Sequence, residues 1–427
     1  MTFYERLVWS TRLVLVMCLG LSPGSAGADT KALVGARIFD GTGKAVIEKG
    51  TIVIEEGKIA AVGPSDKVKV PQGARIIDVS GKTITPGLIN AHGHVSDVEG
   101  KGTGRAREGV ARQLGLFARY GITTVFSLGG EEAPAFQLRD EQNTPSLNRA
   151  RIHVAGTVIV GSTPEEAVRM VRKVAGTKPD YIKIRVDDNL GTTKKITPDV
   201  YRAVIQEAHS RGLRLFVHFF YLDDAKDLLR SGGDLLAHSV RDKPVDDEFL
   251  RLVKARDVPY CPTLTREIST FIYGDTPAFF SDPFFLREAN PEVIALLKEP
   301  ARQEAMRKSN SAQAYKAALP TAERNLKRLS DAGVTIVMGT DSGAAASRFE
   351  GYFEHLEMRM MVESGMNSKQ VLMAATGAAA KALKVNDVGT LEMRKWADIV
   401  VYDKNPLDDI RNTETISAVY VAGNEVK

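Results

Sequence analysis

Two histidines separated by one residue end an apolar stretch of the sequence. The segment 86–94 reads Pro-Gly-Leu-Ile-Asn-Ala-His-Gly-His, with His92 and His94 at its end. Side chains two residues apart on a β-strand point to the same side, so both imidazoles can reach one point in space. Imidazoles at this spacing are typical ligands of a divalent metal ion. The alternative, a pair of solvated surface histidines, is disfavoured by the apolar strand that precedes them.

Further side chains with metal-binding or catalytic chemistry lie in or directly after other apolar runs: Lys183, His218, His238 and Asp341. Lys183 lies inside the apolar run 181–184, where a charged ammonium group is costly to bury. Taken singly, each residue could be a satisfied polar group of the core, and for a lone histidine that is the better interpretation. Their joint position at predicted strand ends instead indicates one shared metal site.

Candidate substrate-binding residues lie close to these positions. Tyr221, three residues after His218, could hydrogen-bond a polarised carbonyl or its oxyanion. Three arginines just beyond predicted strand ends could pair with a substrate carboxylate: Arg185, Arg241 and Arg266. For each arginine alone, a solvated rim position or an internal ion pair is the competing interpretation. A phenylalanine-rich insertion at 266–318 would suit an apolar substrate side chain.

The pattern of elements predicts a scaffold that brings these strand ends together. Apolar strand-like runs alternate with helix-period segments from residue 83 onwards. This alternation is typical of a parallel α/β barrel, whose active site lies at the carboxyl ends of its strands. We therefore predict an α/β fold with a (β/α)8 TIM barrel at 83–385. Its strands are predicted at 83–91, 123–127, 151–155, 181–186, 214–219, 234–238, 259–264 and 335–339.

Both ends of the chain have a different, β-rich texture. Short strand-like runs separated by turn dipeptides fill 29–82, and the same texture returns in 386–427. Such strands cannot bury an apolar face alone. The two ends are therefore predicted to form one composite domain, a small β-sandwich.

The first 28 residues have the features of a signal peptide. Arg6 and Arg12 supply positive charge, an apolar run follows at 13–21, and small residues precede a cleavage site near Ala28. This predicts export, with a periplasmic or secreted protein that does not insert into the membrane after cleavage. An uncleaved anchor and a lipoprotein modified at Cys18 are the alternatives. After cleavage Cys261 is the sole remaining cysteine, so no internal disulfide is expected.

Composition narrows the class of partner. The formal net charge is +4, and no run rich in lysine and arginine is present. Nucleic-acid binding is therefore not expected. The predicted partner is a small-molecule substrate. A homo-oligomer remains open, because one sequence does not define the oligomeric state.

Several motifs together resemble one enzyme family. They are the histidine pair with its preceding strand, Gly339-Thr340-Asp341-Ser342, Ala374-Ala375-Thr376, and the run 397–401 leading to Asn405-Pro406-Leu407. The chain resembles the amidohydrolase superfamily, in particular the binuclear branch with imidazolonepropionases and metal-dependent prolidases. In that branch the residues matching His92, His94 and Asp341 hold one metal ion, and those matching His218 and His238 hold the other. The lysine matching Lys183 is carboxylated and bridges both ions. Asn90 departs from the pattern, because the family often has an acidic residue there.

The resemblance implies two divalent ions, most simply zinc, although manganese, cobalt and nickel also fit the ligand set. It also implies carbon dioxide incorporated as a carbamate on Lys183. A metal-bridging hydroxide would attack the substrate, with Asp341 as the catalytic base and Tyr221 as a catalytic hydrogen-bond donor. The expected reaction is amide hydrolysis in dipeptides or N-acyl amino acids.

Other functions remain open. The same hydroxide would serve an esterase, a lactonase or a phosphotriesterase-like enzyme. An intracellular imidazolone or cyclic-imide hydrolase fits the site but not the export signal. A non-catalytic barrel relative is disfavoured because all six candidate metal ligands are present.

Overall fold

The structure, a computed structural model, describes residues 30–95 and 107–427. The predicted signal peptide, 1–28, lies outside the described residues. Within these ranges no helix combines the length and the apolar character needed to cross a membrane.

Strands dominate both ends of the described chain, and helices alternate with strands between them. The strands are β1 (Lys31–Ile38), β2 (Ile47–Glu55), β3 (Lys58–Pro64), β4 (Arg75–Asp78), β5 (Thr83–Pro86), β6 (Leu88–Gly93), β7 (Ile122–Ser127), β8 (Arg151–Val154), β9 (Ile182–Val186), β10 (Leu215–Phe219), β11 (Leu235–Ala237), β12 (Tyr260–Cys261), β13 (Ile399–Tyr402), β14 (Ile416–Val421) and β15 (Asn424–Glu425). The helices are α1 (Arg107–Arg119), α2 (Ala133–Asp140), α3 (Pro164–Ala175), α4 (Pro198–Ser210), α5 (Leu222–Ser231), α6 (Asp247–Ala255), α7 (Leu264–Ile268), α8 (Pro283–Leu286), α9 (Pro291–Leu297), α10 (Pro300–Lys308), α11 (Asn310–Asp331), α12 (Tyr352–Glu363), α13 (Ser368–Ala374) and α14 (Gly377–Leu383).

Strands from both chain ends pair in one eight-stranded sheet. Its order is β15-β14-β13-β5-β1-β2-β3, and β4 pairs with β1 off this path. One edge of β1 is shared, because its first half pairs with β4 and its second half with β5. Gly35 lies between the two halves with φ +91°, and a Cβ there would collide with Ser80 Oγ. The strands predicted to form a sandwich are therefore hydrogen-bonded as a single sheet, which branches at β1. This sheet encloses its own apolar cluster.

Two parallel sheets carry the middle of the chain. One has the order β6-β7-β8 and the other β12-β11-β10-β9. The prediction of one strand at 83–91 was wrong, because the run breaks at Gly87 into β5, which joins the end sheet, and β6, which joins a parallel sheet.

The eighth predicted barrel strand, 335–339, is not a regular strand among the described residues. Isolated parallel bridges instead join this region to its neighbours, at Tyr260↔Ile336 and Gly93↔Ser342. The ladder breaks because the backbone N–H groups of Thr340 and Asp341 both donate to the carbonyl of His92. A third bridge, Ile159↔Ile184, connects the two parallel sheets on their other side. The sheet pairing therefore shows a mixed α/β fold but not an unbroken eight-stranded barrel.

Three aromatic rings of the phenylalanine-rich insertion pack into the core. Phe279, Phe280 and Phe285 are buried. The Phe285 ring lies 4.8 Å from that of Phe349 and 5.0 Å from that of Tyr352, measured between centroids. The insertion thus docks on the start of α12, and its aromatic side chains are used for that contact.

Candidate metal centre

The histidine pair at the end of β6 faces one carboxylate. Asp341 Oδ1 lies 3.2 Å from His92 Nε2 and 2.8 Å from His94 Nε2. The backbone N–H of Asp341 donates to the carbonyl of His92, and Asp341 has a positive φ of 60°. The chain therefore turns at this residue. The spacing of the two histidines therefore has the predicted result, because both rings reach the same oxygen.

The other two candidate histidines complete a contiguous group of rings. The His238 ring centroid lies 4.5 Å from that of His92 and 4.2 Å from that of His218. Ligand atoms of His92, His238 and Asp341 all lie within 4.8 Å of one another. His218 is the penultimate residue of β10, and His238 directly follows β11, the parallel neighbour of β10. Residues far apart in sequence thus meet at the carboxyl ends of the parallel strands.

Contacts on the far side of the rings fix the nitrogen that each histidine presents. His94 Nδ1 lies 3.1 Å from the carbonyl of Gly129, and His218 Nε2 lies 2.7 Å from Asp187 Oδ2. His238 Nδ1 lies 2.6 Å from Thr263 Oγ1. Such outer contacts orient metal-ligating histidines in proteins. They leave His94 Nε2, His218 Nδ1 and His238 Nε2 as the ring nitrogens that are free of these contacts.

The electrostatic environment keeps the imidazoles of His92, His218 and His238 neutral. Burial lowers the pKa of His92 and His238 well below the usual range and lowers that of His218 to about 3. Burial alone would raise the pKa of Asp341, but the charge of Arg348 and the hydrogen bonds from His92 and His94 hold it well below its usual range. Near neutral pH the group therefore offers neutral imidazoles and an ionised carboxylate, the forms that bind metal ions.

Three buried atoms in this group lack a hydrogen-bond partner among the described residues: His92 Nδ1, Lys183 Nζ and His238 Nε2. Buried polar atoms are almost always paired, so each such atom indicates a missing partner. Burial also lowers the pKa of Lys183 to about 8, which raises the fraction of neutral amine. Unpaired imidazole nitrogens and a desolvated lysine beside an ionised aspartate are the donor set expected of a metal centre. The residues present therefore fit divalent metal ions.

A buried carboxylate behind the histidine pair was not predicted from the sequence. Glu354 Oε1 accepts hydrogen bonds from Asn90 Nδ2 at 2.6 Å, Thr340 Oγ1 at 2.8 Å and Ser342 Oγ at 2.6 Å. Asn90 Oδ1 in turn accepts from the backbone N–H of His92 at 2.9 Å. Glu354 on α12 thus holds together the end of β6 and the turn that carries Asp341.

Tyr221 and Arg185 lie beside the group but bind other partners. The Tyr221 hydroxyl donates to Asp188 Oδ1 at 2.9 Å. Burial and this carboxylate raise the pKa of Tyr221 above its usual value. Arg185 donates to Asn189 Oδ1 through Nη2. Both residues are held by the loop that follows β9, next to Asp187.

The two remaining predicted arginines share one buried carboxylate. Arg241 Nε lies 3.0 Å from Glu267 Oε2, and Arg266 Nη1 donates to the same oxygen at 3.2 Å. The side chain of Arg241 is fully buried, and it also donates to the carbonyls of Phe219 and Ser239. The competing interpretation therefore holds for Arg241, which forms an internal ion pair. Arg266 lies near enough to His218 and His238 for its charge to add to the effect of burial in lowering their pKa values.

Comparison with known proteins assigns the family. Residues 83–426 match the sequence model of the amidohydrolase family. The chain belongs to this family, as the sequence motifs predicted, and it is a metal-dependent hydrolase acting on carbon–nitrogen bonds.

Its relatives vary in substrate. The enamidase of Eubacterium barkeri is 28% identical over 214 residues, covering 45% of this chain and about half (52%) of the enamidase. The imidazolonepropionase of Geobacillus kaustophilus is 26% identical over 424 residues, covering 88% of each chain. A solved Xaa-Pro dipeptidase with methionine bound in its active site matches with a TM-score of 0.73 and 22% identity, over 93% of this chain and 99% of the other. At that identity the match concerns the fold alone.

Proposed function

We propose that this protein hydrolyses amide bonds of small carboxylate-bearing substrates, dipeptides or N-acyl amino acids, at a binuclear metal centre. The observation that carries the proposal is the convergence of six side chains, five of which lie on or directly after parallel strands: His92, His94, Lys183, His218, His238 and Asp341. The buried guanidinium of Arg266 beside this group supports a substrate with a free carboxylate.

The proposal includes a finer account of the fold. The two parallel sheets and the region 335–341 would together form the (β/α)8 barrel. Its support is the set of parallel bridges that flank this region, with the backbone hydrogen bonds from Ala91 N to Met338 O and from Val337 N to Tyr260 O. The site would then lie at the carboxyl end of the barrel.

Each side chain has a defined part in the proposed reaction. His92, His94 and Asp341 would hold one ion, and His218 and His238 the other. The neutral amine of Lys183 would add to carbon dioxide with loss of one proton, and the resulting carbamate would bridge both positions. When bound, two divalent ions, most simply zinc, would lower the pKa of a water molecule to about 7 and polarise the scissile carbonyl. Asp341 would accept the proton of that water and pass it to the departing amine.

Export of the chain is part of the same proposal. The segment 1–28 would direct the protein to the periplasm or outside the cell, with cleavage near Ala28. A dipeptide or N-acyl amino acid hydrolase there would act on nutrients or on products of extracellular proteolysis.

A substrate screen tests the proposal. The chain from Asp29 onwards would be loaded with zinc and assayed for amine release from dipeptides and N-acyl amino acids, with esters, lactones and phosphotriesters in parallel. Asp341→Asn serves as the blank. We expect amide hydrolysis that is lost in Asp341→Asn and reduced when the substrate carboxylate is amidated. Turnover of esters, lactones or phosphotriesters alone would contradict amide hydrolysis.

A further inference from the structure

Arg348 contacts the proposed catalytic base and is absent from the residues that the sequence pattern indicated. Its Nη1 donates to Asp341 Oδ2, the carboxylate oxygen that does not face the histidine pair. Its Nε donates to Ser269 Oγ at 3.1 Å. The two oxygens of Asp341 therefore have separate partners, with histidines on Oδ1 and a guanidinium on Oδ2.

The loop that carries Arg348 is anchored at several points. Gly343 N donates to Arg348 O at 3.0 Å, and Arg348 N donates to Ala345 O at 2.9 Å. The Tyr273 hydroxyl donates to the carbonyl of Ser347. The backbone of this turn is thus fixed, so the long side chain of Arg348 is the part that can change partner by rotamer change alone.

Two further arginines lie close to this contact. Arg241 and Arg266 share Glu267, and Arg348 binds Asp341. Arg266 is near enough for its positive charge to oppose that of Arg348. Divalent cations on Asp341 would add further positive charge beside Arg348. Coulomb repulsion then favours transfer of this guanidinium to another anion.

The side chain of Arg348 is more exposed than those of the neighbouring arginines. Its side chain is 17% exposed, whereas those of Arg266 and Arg241 are 8% and 0% exposed. Arg348 is therefore the arginine of this cluster that both touches a proposed metal ligand and remains open to a molecule entering from solvent.

The geometry points to Arg348 as the residue that recognises the substrate carboxylate, with Asp341 as its partner when no substrate is bound. This inference rests on the proposed amide hydrolysis. A substrate carboxylate takes the guanidinium from Asp341 and leaves Oδ2 free. Oδ2 then accepts the proton of the attacking water as the carbon–oxygen bond forms, and it gives that proton to nitrogen as the carbon–nitrogen bond breaks. Substrates without a carboxylate leave Oδ2 covered.

The kinetic test compares Arg348→Met with wild type on matched pairs of substrates, each a dipeptide and its carboxamide. A charge-assisted hydrogen bond corresponds to a preference of roughly 10- to 100-fold for the free acid in kcat/KM. We expect this preference in wild type and its loss in Arg348→Met, with kcat for the carboxamide raised because Oδ2 is uncovered. A residue that only positions Asp341 would instead lower activity on both substrates equally, and that outcome would overturn the inference.

Binding measurements separate this inference from the proposed reaction. A non-hydrolysable phosphonate analogue of a dipeptide and its C-terminal carboxamide would be titrated into zinc-loaded protein by calorimetry. Wild type should bind the free acid roughly 10- to 100-fold more tightly, and Arg348→Met should not discriminate. Arg359→Met is the matched control, since Arg359 lies on α12 and pairs with Glu414 and Tyr352. Discrimination that depends on Arg348 without any amide turnover would keep this inference and reject the proposed reaction. Equal binding of both analogues by wild type would reject the inference.

Discussion

Asn90 Nδ2 donates a 2.6 Å hydrogen bond to Glu354 Oε1, and this contact joins the strand of the histidine pair to helix α12. An amide facing a carboxylate suits this buried position, because burial raises the pKa of Glu354 and a second ionised group there would repel it. The departure of Asn90 from the family pattern is thus matched by a carboxylate on the facing helix.

Replacement of this amide by a carboxylate should destabilise the protein. We expect Asn90→Asp to lower the free energy of unfolding by about 2 to 4 kcal/mol at pH 8. Part of the loss should be regained at pH 5, because a carboxyl with a raised pKa in the folded state stabilises as pH falls. The double variant Asn90→Asp/Glu354→Gln exchanges amide and carboxylate and should regain most of the stability. Urea unfolding measures the free energy of unfolding of wild type, Asn90→Asp and the double variant. A double variant no better than Asn90→Asp would show that the two side chains are not coupled.

Loss of the buried lysine should empty the metal centre. We expect Lys183→Ala to lose most bound metal, measured by plasma mass spectrometry, because the proposed carbamate bridge is removed. Added acetate or propionate should restore part of the activity by taking the place of that bridge. Lys173→Ala, at an exposed position on α3, is the control and should keep its metal. Full metal content in Lys183→Ala would contradict a bridging role.

A buried histidine away from the metal centre should make stability depend on pH. His355 lies 2.8 Å from the carbonyl of Tyr120 through Nε2 and 3.0 Å from Thr413 Oγ1 through Nδ1, and burial lowers its pKa to about 3. Its contribution is fully present above the unfolded pKa of about 6.5 and is lost as pH falls from there towards 3, by up to about 1.4 kcal/mol per pH unit.

The measurement is urea unfolding between pH 4 and 8 in the presence of chelator. His355→Gln should flatten the pH dependence relative to wild type. His209→Gln is the control, because the His209 side chain is 38% exposed and pairs with Asp234 at the surface. Equal slopes in wild type and His355→Gln would show that His355 titrates alike in the folded and unfolded states.

The aromatic cluster of the insertion should contribute to stability and not to substrate choice. Phe285 is fully buried, and its truncation in Phe285→Ala should lower the free energy of unfolding by about 3 to 5 kcal/mol. Leu286→Ala, at a site 46% exposed, should change it by less than about 1 kcal/mol. A change in substrate preference without loss of stability would mean that the cluster lines the substrate site.

The proposed metal ligands were accessible from sequence because each is tied to a local pattern. Two histidines share one strand, and the others follow or lie within apolar runs, so strand periodicity alone predicts a common edge. The supporting residues have no such pattern. Glu354 lies 12 residues after Ser342 and 264 after Asn90, on a helix whose apolar periodicity says nothing of a carboxylate contact. The same reasoning could have predicted Asp187, because it directly follows β9.

The limits of the fold prediction have similar causes. The alternation of strands and helices was enough to predict parallel pairing. That alternation is visible in the sequence because strands and helices differ in the periodicity of their apolar residues. The break at Gly87 and the irregular region near Asp341 depend on particular backbone hydrogen bonds, such as those that converge on the carbonyl of His92. Burial of the phenylalanines was missed because composition does not distinguish a pocket wall from a helix-docking surface.

The pairing of β5 between β1 and β13 sets an order of events during synthesis. One edge of β5 stays without its partner until residues 399–402 have left the ribosome, more than 300 residues after β5 itself. The sheet that begins with β1 therefore completes only after residues 399–402 have been synthesised. A nascent chain therefore carries this unpaired edge through the synthesis of more than 300 residues, and such late closure suits the export proposed above.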